Sequence, residues 1–287
     1  MLPKLGFSLQ KQYALPVQDV VALLRQAGFS CLSPIWAPDA QLPAIDAAAR
    51  QQGMTLQSLH APSRDVTKLW QKCGPETDHI KDAVLQTIDA CNRYHVPIMV
   101  LHGWRGFDYT FRENDLFFDH FDDIVAHAQA QGIRIAFENL EGEEYLAALM
   151  ARYRDVPHVG YCWDSGHDHC YPHKTDFLSA YGDRLIMTHL NDNLGTRDPA
   201  GKPAADDDLH FLPFDGKLDW DRAMARLRCA KKVDTLNFEL KVVSHSKAPQ
   251  DRIYVDMPLP QYIEEAGKRA RMIANLYSAS SESHHIN

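Results

Sequence analysis

Six short apolar runs in this sequence each end in a histidine, aspartate or glutamate. They are Ser58-Leu59-His60, Val100-Leu101-His102, Phe137-Glu138-Asn139, Cys162-Trp163-Asp164, Thr188-His189-Leu190-Asn191 and Phe238-Glu239-Leu240-Lys241. One such residue is ordinarily a surface or satisfied core side chain. Six in succession call for another account. Carboxylates are seldom buried without a partner, and several around one pocket repel unless a cation lies among them. A mixed imidazole and carboxylate set suits Zn, Mn, Co or Fe, while an all-oxygen set suits Mg or Ca. Glu138, Asp164, His189 and Glu239 are therefore expected to share a divalent metal ion.

Other residues stand near these runs. His167 follows Asp164 in Asp164-Ser165-Gly166-His167, a spacing that brings both side chains to one loop mouth. Asp208 and His210 form an Asp-x-His pair in the segment that runs from Asp206-Asp207-Asp208 to Gly216, which a solvated acidic loop explains equally well. Trp36 and Trp104 end the second and fourth strand candidates and are expected either to wall a pocket against apolar faces of a substrate or to pack under loops. Lys241 lies two residues past Glu239, so strand alternation aims it to the same side, toward substrate, a neighbouring carboxylate or solvent. Five of the 15 histidines (His60, His102, His167, His189, His210) are thus candidates for the site. The other ten, among them His79, His95, His120, His127 and the terminal His284-His285, are expected to face solvent.

What must position these residues is an alternation of strands and helices. Strands are expected at Lys4–Leu9, Phe29–Trp36, Thr55–His60, Ile98–His102, Arg134–Asn139, Val159–Asp164, Leu185–Asn191 and Thr235–Leu240. Helices are expected at Val17–Ala27, Leu42–Gln52, Thr77–Tyr94, Asn114–Gln131, Glu143–Tyr153, Thr175–Tyr181, Trp220–Ala230 and Gln261–Tyr277. Pro16, Gly28, Gly53 and Gly132 punctuate helix boundaries. Eight strand–helix units imply a parallel sheet and match a single-domain α/β fold, the (β/α)₈ TIM barrel, over residues 1–277. An open doubly wound sheet is the alternative, but the first turn has no GxGxxG and no Walker loop appears. In a barrel the active site lies at the C-terminal ends of the strands, where the six runs end. Ser278–Asn287 reads as a flexible polar tail.

Composition narrows the classes. The chain of 287 residues carries 30 Lys plus Arg against 38 Asp plus Glu, a formal charge of −8. That argues against a general nucleic-acid binder, which needs clustered cations. Arg64, Lys68 and Arg105 are isolated. No run reaches the ~18 apolar residues of a membrane helix, and Met1 to Gln12 has no secretory h-region. Cys31, Cys73, Cys91, Cys162, Cys170 and Cys229 form no CxxC pair and read as reduced thiols, so the cytoplasm is the expected compartment.

The motifs Phe137-Glu138-Asn139, Asp164-Ser165-Gly166-His167, His189-Leu190-Asn191-Asp192, Asp208-x-His210 with Pro213-Phe214-Asp215-Gly216, and Phe238-Glu239-Leu240-Lys241 resemble the xylose-isomerase-like barrel superfamily. This group contains sugar (phosphate) isomerases and epimerases and also the endonuclease IV-type AP endonucleases. The resemblance spans the third to the eighth strand and is specific for the superfamily, not for a substrate. It implies one metal held by Glu138, Asp164, His189 and Glu239, with the two glutamates as acid and base. In the endonuclease branch it implies three ions, with His60 and His102 added at one and His167, Asp208 and His210 at another.

Three activities compete. The leading expectation is a metal-dependent sugar isomerase or epimerase, with Zn or Mn favoured and Co, Fe or Mg as alternatives, and one to three ions. Its metal acidifies a substrate C–H and stabilises the enediolate. Glu138 and Glu239 pass the proton, and His167 polarises an oxygen. The alternatives are an AP endonuclease and a sugar or cyclitol dehydratase. A non-catalytic binding barrel has no need of such a ligand ring. Phosphate recognition has no glycine-rich loop to support it. Such barrels often pair through their outer helices, so a homo-oligomer stays open.

Overall fold

The computed structural model describes residues 2–10, 13–37, 41–243 and 246–279. The tail expected at residues 278–287 lies outside them from residue 280 on. Parallel strands β1 (Lys4–Leu9), β2 (Cys31–Pro34), β3 (Thr55–Leu56), β4 (Ser58–His60), β5 (Ile98–His102), β6 (Arg134–Glu138), β7 (Val159–Asp164), β8 (Leu185–His189) and β9 (Thr235–Phe238) make a barrel of eight staves. The third expected strand is split at Gln57. Its first piece, β3, pairs with β2, and its second, β4, pairs with β5. The strands therefore form a four-stranded sheet, β3-β2-β1-β9, and a five-stranded sheet, β4-β5-β6-β7-β8. Two bridges, Ile35 with His60 and Leu190 with Phe238, join the sheets and close the barrel.

Alternation along each buried strand sorts its side chains. In β5, Met99 and Leu101 belong to the large core beneath the helices, while Ile98 and Val100 belong to a separate small cluster with Ala136, Cys162 and Met187. That small cluster fills the inside of the barrel. The next inward positions along the chain are His102, Glu138, Asp164 and His189. Register then fixes their company, because His102 is opposite Glu138 and Asp164 is opposite His189. The ligand-type residues thus form a layer above an apolar floor.

The helices α1 (Val17–Gln26), α2 (Leu42–Gln51), α3 (Pro75–Arg93), α4 (Asp119–Ala130), α5 (Glu143–Arg152), α7 (Phe177–Tyr181), α8 (Trp220–Cys229) and α9 (Leu259–Ser278) cover the outside, and the short α6 (Ser165–Cys170) lies at the end of β7, with His167 lining the cavity. The helix expected from Asn114 begins only at Asp119, because Phe117 and Phe118 are drawn to Trp70: the Phe117 N–H donates to the Trp70 carbonyl and the Phe118 ring packs edge-on against the indole. Helix α6 was not expected. Asp164 caps it, accepting from the His167 N–H at 2.8 Å. His120 corrects another expectation. It is fully buried at the start of α4, on the same face as Phe121, Ile124 and Ala128, not facing solvent. Among the described residues no helix is long and apolar enough to cross a membrane, and all six cysteines are unpaired.

Candidate metal centre

The strand ends converge on Glu138. Its Oε1 lies 3.0 Å from His189 Nδ1, and its Oε2 lies 3.2 Å from His102 Nε2 and 3.3 Å from His60 Nε2. His189 Nδ1 is also 2.9 Å from Glu239 Oε2. Glu138, Asp164, His189 and Glu239 each offer one donor atom, all within 4.8 Å of one another. His60, Glu138 and His189 make a second group of the same closeness, and His167, Asp208 and His210 a third. In the third, Asp208 Oδ2 is 2.6 Å from His210 Nε2 and 3.4 Å from His167 Nε2. Every one of these residues except His60 and His102 is buried. His60, His102, Glu138, His167, Asp208, His210 and Glu239 border a cavity of about 470 Å³ that Arg64, Arg105, Glu141, Tyr171 and Lys241 also line, with Asp164 and His189 packed behind them.

The ring nitrogens are oriented from behind. His167 Nδ1 donates to the Asn139 carbonyl at 2.9 Å, His210 Nδ1 to the Glu239 carbonyl at 2.9 Å, and His60 Nδ1 to the Ala61 carbonyl at 2.7 Å. Each bond places the proton on Nδ1 and leaves the Nε2 lone pair for the cavity, the usual support of a metal ligand. His210 holds this pose with a left-handed backbone, φ 52°, a conformation that costs a non-glycine residue about 1–3 kcal/mol. Asp164 is steadied by Asn191 Nδ2, at 3.2 and 3.1 Å from its two oxygens, and by Asn139, whose Oδ1 accepts the Asp164 N–H. Gly166 permits this approach, since a Cβ there would stand 1.9 Å from Asn191 Oδ1.

Charge follows burial and neighbours. Burial opposes ionisation of Glu138, but His189 and His102 outweigh it and hold the carboxyl well below its usual range. Glu239 is likewise held low by His189, and Asp208 by His210 and His167. Asp164 is pushed up to about 6, mainly by burial. Burial brings His102 down to about 4. His167 and His189 are raised well above the ordinary value, overcoming burial. For His167 the cause is Asp164 and Asp208. For His189 it is Cys162, Glu138 and Glu239; burial pushes Cys162 up to about 12, so it is a neutral thiol at pH 7 and the glutamates carry the effect.

A divalent cation fits this donor set. Four buried carboxylates face five imidazoles, and Asp208 Oδ1 is buried with no hydrogen-bond partner among the described residues. The acidic run separates by role: Asp206 is exposed, Asp207 pairs with Arg197 at 2.9 Å, and Asp208 alone enters the cavity.

Neither tryptophan borders the cavity. Trp104 stacks on Tyr145, with centroids 3.9 Å apart and planes 5° from parallel, and Trp36 is buried in the large core. Tyr171 is the aromatic wall, and it stacks on His167. Sequence reasoning missed Tyr171, Glu141 and the asparagines Asn139 and Asn191. It also missed the role of Asp192, whose carboxylate ties down the following loop by accepting from Phe214 N, Leu218 N and Trp220 Nε1. The asparagines stand beside Glu138 and Leu190 at strand ends, and that position was their signal.

The molecule is similar in fold to a zinc-binding IolI protein, with a TM-score of 0.73 at 16% identity over 96% of this chain and 99% of that one. It is also similar to a D-allulose 3-epimerase from Methylomonas sp. in complex with D-allulose, with a TM-score of 0.67 at 15% identity over 96% and 98% of the two chains. In sequence it is 30% identical to the uncharacterized protein y4fM of Sinorhizobium fredii, over 91% of this chain and 94% of that protein. The family model that describes a xylose isomerase-like TIM barrel matches residues 21–257, and the chain belongs to that family.

Proposed function

We propose that this protein is a divalent-metal-dependent sugar isomerase or epimerase that works through an enediolate. One observation carries the reading. Glu138 and Glu239, from staves separated by two others, both reach His189 Nδ1, at 3.0 and 2.9 Å, beside a cavity large enough for a monosaccharide. Sugar epimerases and a zinc-binding IolI protein with the same fold support it. Glu138, Asp164, His189 and Glu239 would hold the cation, which supplies a Lewis acid that acidifies the C–H beside a carbonyl. The two glutamates do the proton work. An ionised glutamate takes the proton from carbon. Return to the same carbon from the opposite face by the other, which must itself carry a proton beforehand, inverts the centre; return by the first to the former carbonyl carbon, with the hydroxyl proton passing to the former carbonyl oxygen, gives a 1,2-isomerisation. His167, an imidazolium without metal, can donate to a substrate oxygen, and Lys241 lies on the same cavity wall.

The test is solvent deuterium incorporation into free ketoses and their phosphates, with the protein purified without chelators and its metal content measured. Exchange is expected in the wild type, and Glu138→Gln is expected to reduce it by about 10³-fold. Cleavage of abasic-site DNA without any sugar exchange would overturn the reading.

A second reading has its own observation. Glu138 presents Oε1 to His189 and Oε2 to His60 and His102, as a carboxylate shared between two ions would, and the His167–Asp208–His210 group adds a third position. Clustered ions suit hydrolysis of a phosphodiester. Two or three ions per chain together with abasic-site cleavage are the results that select it.

A further inference from the structure

His120 is buried on the outer side of the barrel, away from the central cavity. Its Nε2 is 2.9 Å from Thr77 Oγ1. The Thr77 hydroxyl gives its own hydrogen to a carbonyl, Gly74 at 3.0 Å or Lys72 at 3.2 Å. Thr77 therefore accepts from His120, which places the imidazole proton on Nε2 and leaves the Nδ1 lone pair outward. That lone pair faces Cys73 Sγ at 3.5 Å and Asp78 Oδ1 at 4.0 Å. All three donor atoms lie within 4.8 Å of one another. Zinc bonds of about 2.3 Å to sulfur and about 2.0 Å to nitrogen, at a tetrahedral angle, set sulfur and nitrogen about 3.5 Å apart. The observed Cys73–His120 separation already has that value.

We propose that Cys73, Asp78 and His120 form a second metal site, for zinc or another thiophilic divalent cation, with water completing the coordination. The thiolate selects such an ion over Mg or Ca. Thr77 serves as the supporting partner that fixes the imidazole. Cys73 is exposed, so the ion enters from solvent. Loading replaces the Cys73 S–H proton, released to water, by the metal–sulfur bond. The site clips the N-terminal ends of α3 and α4 together and is independent of the central site, whose four-residue set contains no cysteine.

Cobalt separates the two sites, because only thiolate ligation gives an intense sulfur-to-cobalt charge-transfer absorption. Titration of the metal-stripped protein with Co²⁺ is expected to give this absorption, with a final amplitude that corresponds to one thiolate-bound cobalt per chain in addition to the cobalt taken by the central site. Asp78→Asn is expected to weaken binding by at least about tenfold, and Cys73→Ser to abolish the absorption while the remaining cobalt spectrum persists. Absence of the absorption in the wild type, or its survival in Cys73→Ser, overturns the proposal. Cys73 and Asp78 are at the surface, so neither change threatens the fold.

Discussion

The two sheets of the barrel present opposite interiors. Inward positions of β5 to β8 in the five-stranded sheet are Ile98, Val100, Ala136, Cys162 and Met187, an apolar floor directly below the ligand layer, while β4, at the seam with the other sheet, places the polar Ser58 there. The corresponding positions of the four-stranded sheet are Gly6, Ser8, Cys31, Ser33, Thr235 and Asn237. There Asn237 Nδ2 donates to Ser8 Oγ at 2.8 Å, and a Cβ at Gly6 would stand 2.7 Å from Asn237 Oδ1 and 2.9 Å from Gln57 Oε1. One half of the lumen is dry and the other is hydrogen-bonded. The difference explains where chemistry collects. Charges on a dry floor are poorly screened and must find counter-charges, and the ligand layer of the five-stranded sheet provides both signs. The charged groups that the polar half contributes are Glu239 and Lys241, which lie just past the end of β9, and Gln10 past the end of β1 adds a neutral one.

Loading the central site tests the dry half most severely. A metal present at about 1,000 times its dissociation constant stabilises the fold by about 4 kcal/mol, so chelation is expected to lower Tm markedly. pH then reveals the mechanism. In the stripped protein His167 and His189 have raised values. Their stabilisation is complete below the unfolded histidine value of about 6.5 and is lost as pH rises through the folded value. Metal binding at His189 expels its proton, so metal affinity must rise as pH passes through that folded value. The gap in Tm between loaded and stripped protein is expected to widen with pH. A gap that narrows as pH rises would mean that His189 is not a ligand.

The floor itself comes next. Met187 is fully buried in the apolar cluster, and Met187→Ala is expected to cost about 2–5 kcal/mol in chemical denaturation. The loss should be accompanied by weaker metal binding, because His189 is two residues further along the same strand. Unchanged metal affinity would show that the ligand layer does not depend on the packing below it.

Much of this was legible in the chain. Ile98–His102 and Val159–Asp164 have their expected bounds because each is an apolar run stopped by a titratable residue. The barrel followed from the alternation, and the convergence of the strand ends followed from the barrel. The break at Gln57 was not legible, since it is set by how two sheets meet, a contact between distant parts of the chain. Helix α6 was obscured by its Ser, Gly and His content, although the capping aspartate was in view. His120 was misjudged because histidine is polar. Its four-residue spacing to Ile124 put it on the buried face, and that signal was available. Trp36 and Trp104 could not be placed, since a large aromatic at a strand end packs inward or under a loop according to neighbours that only the fold supplies.

The smallest effect is expected on the polar side. Ser33 Oγ is buried and makes no hydrogen bond among the described residues. A buried hydroxyl without a protein partner has already lost its hydration or holds a water molecule. In the first case Ser33→Ala removes a liability and leaves stability within about 0.5 kcal/mol of wild type, or slightly above it. In the second it costs about 1 kcal/mol or more, because the bridged partners lose their link as well. Gln57 Oε1, Ser58 Oγ and Asn237 Oδ1 are also without protein partners, so a water network has groups to join. Urea denaturation of Ser33→Ala beside Met187→Ala therefore measures the comparison directly. A near-neutral serine beside a costly methionine means that the apolar half holds the barrel together. Comparable losses mean that the polar half is equally built, with ordered water as its packing.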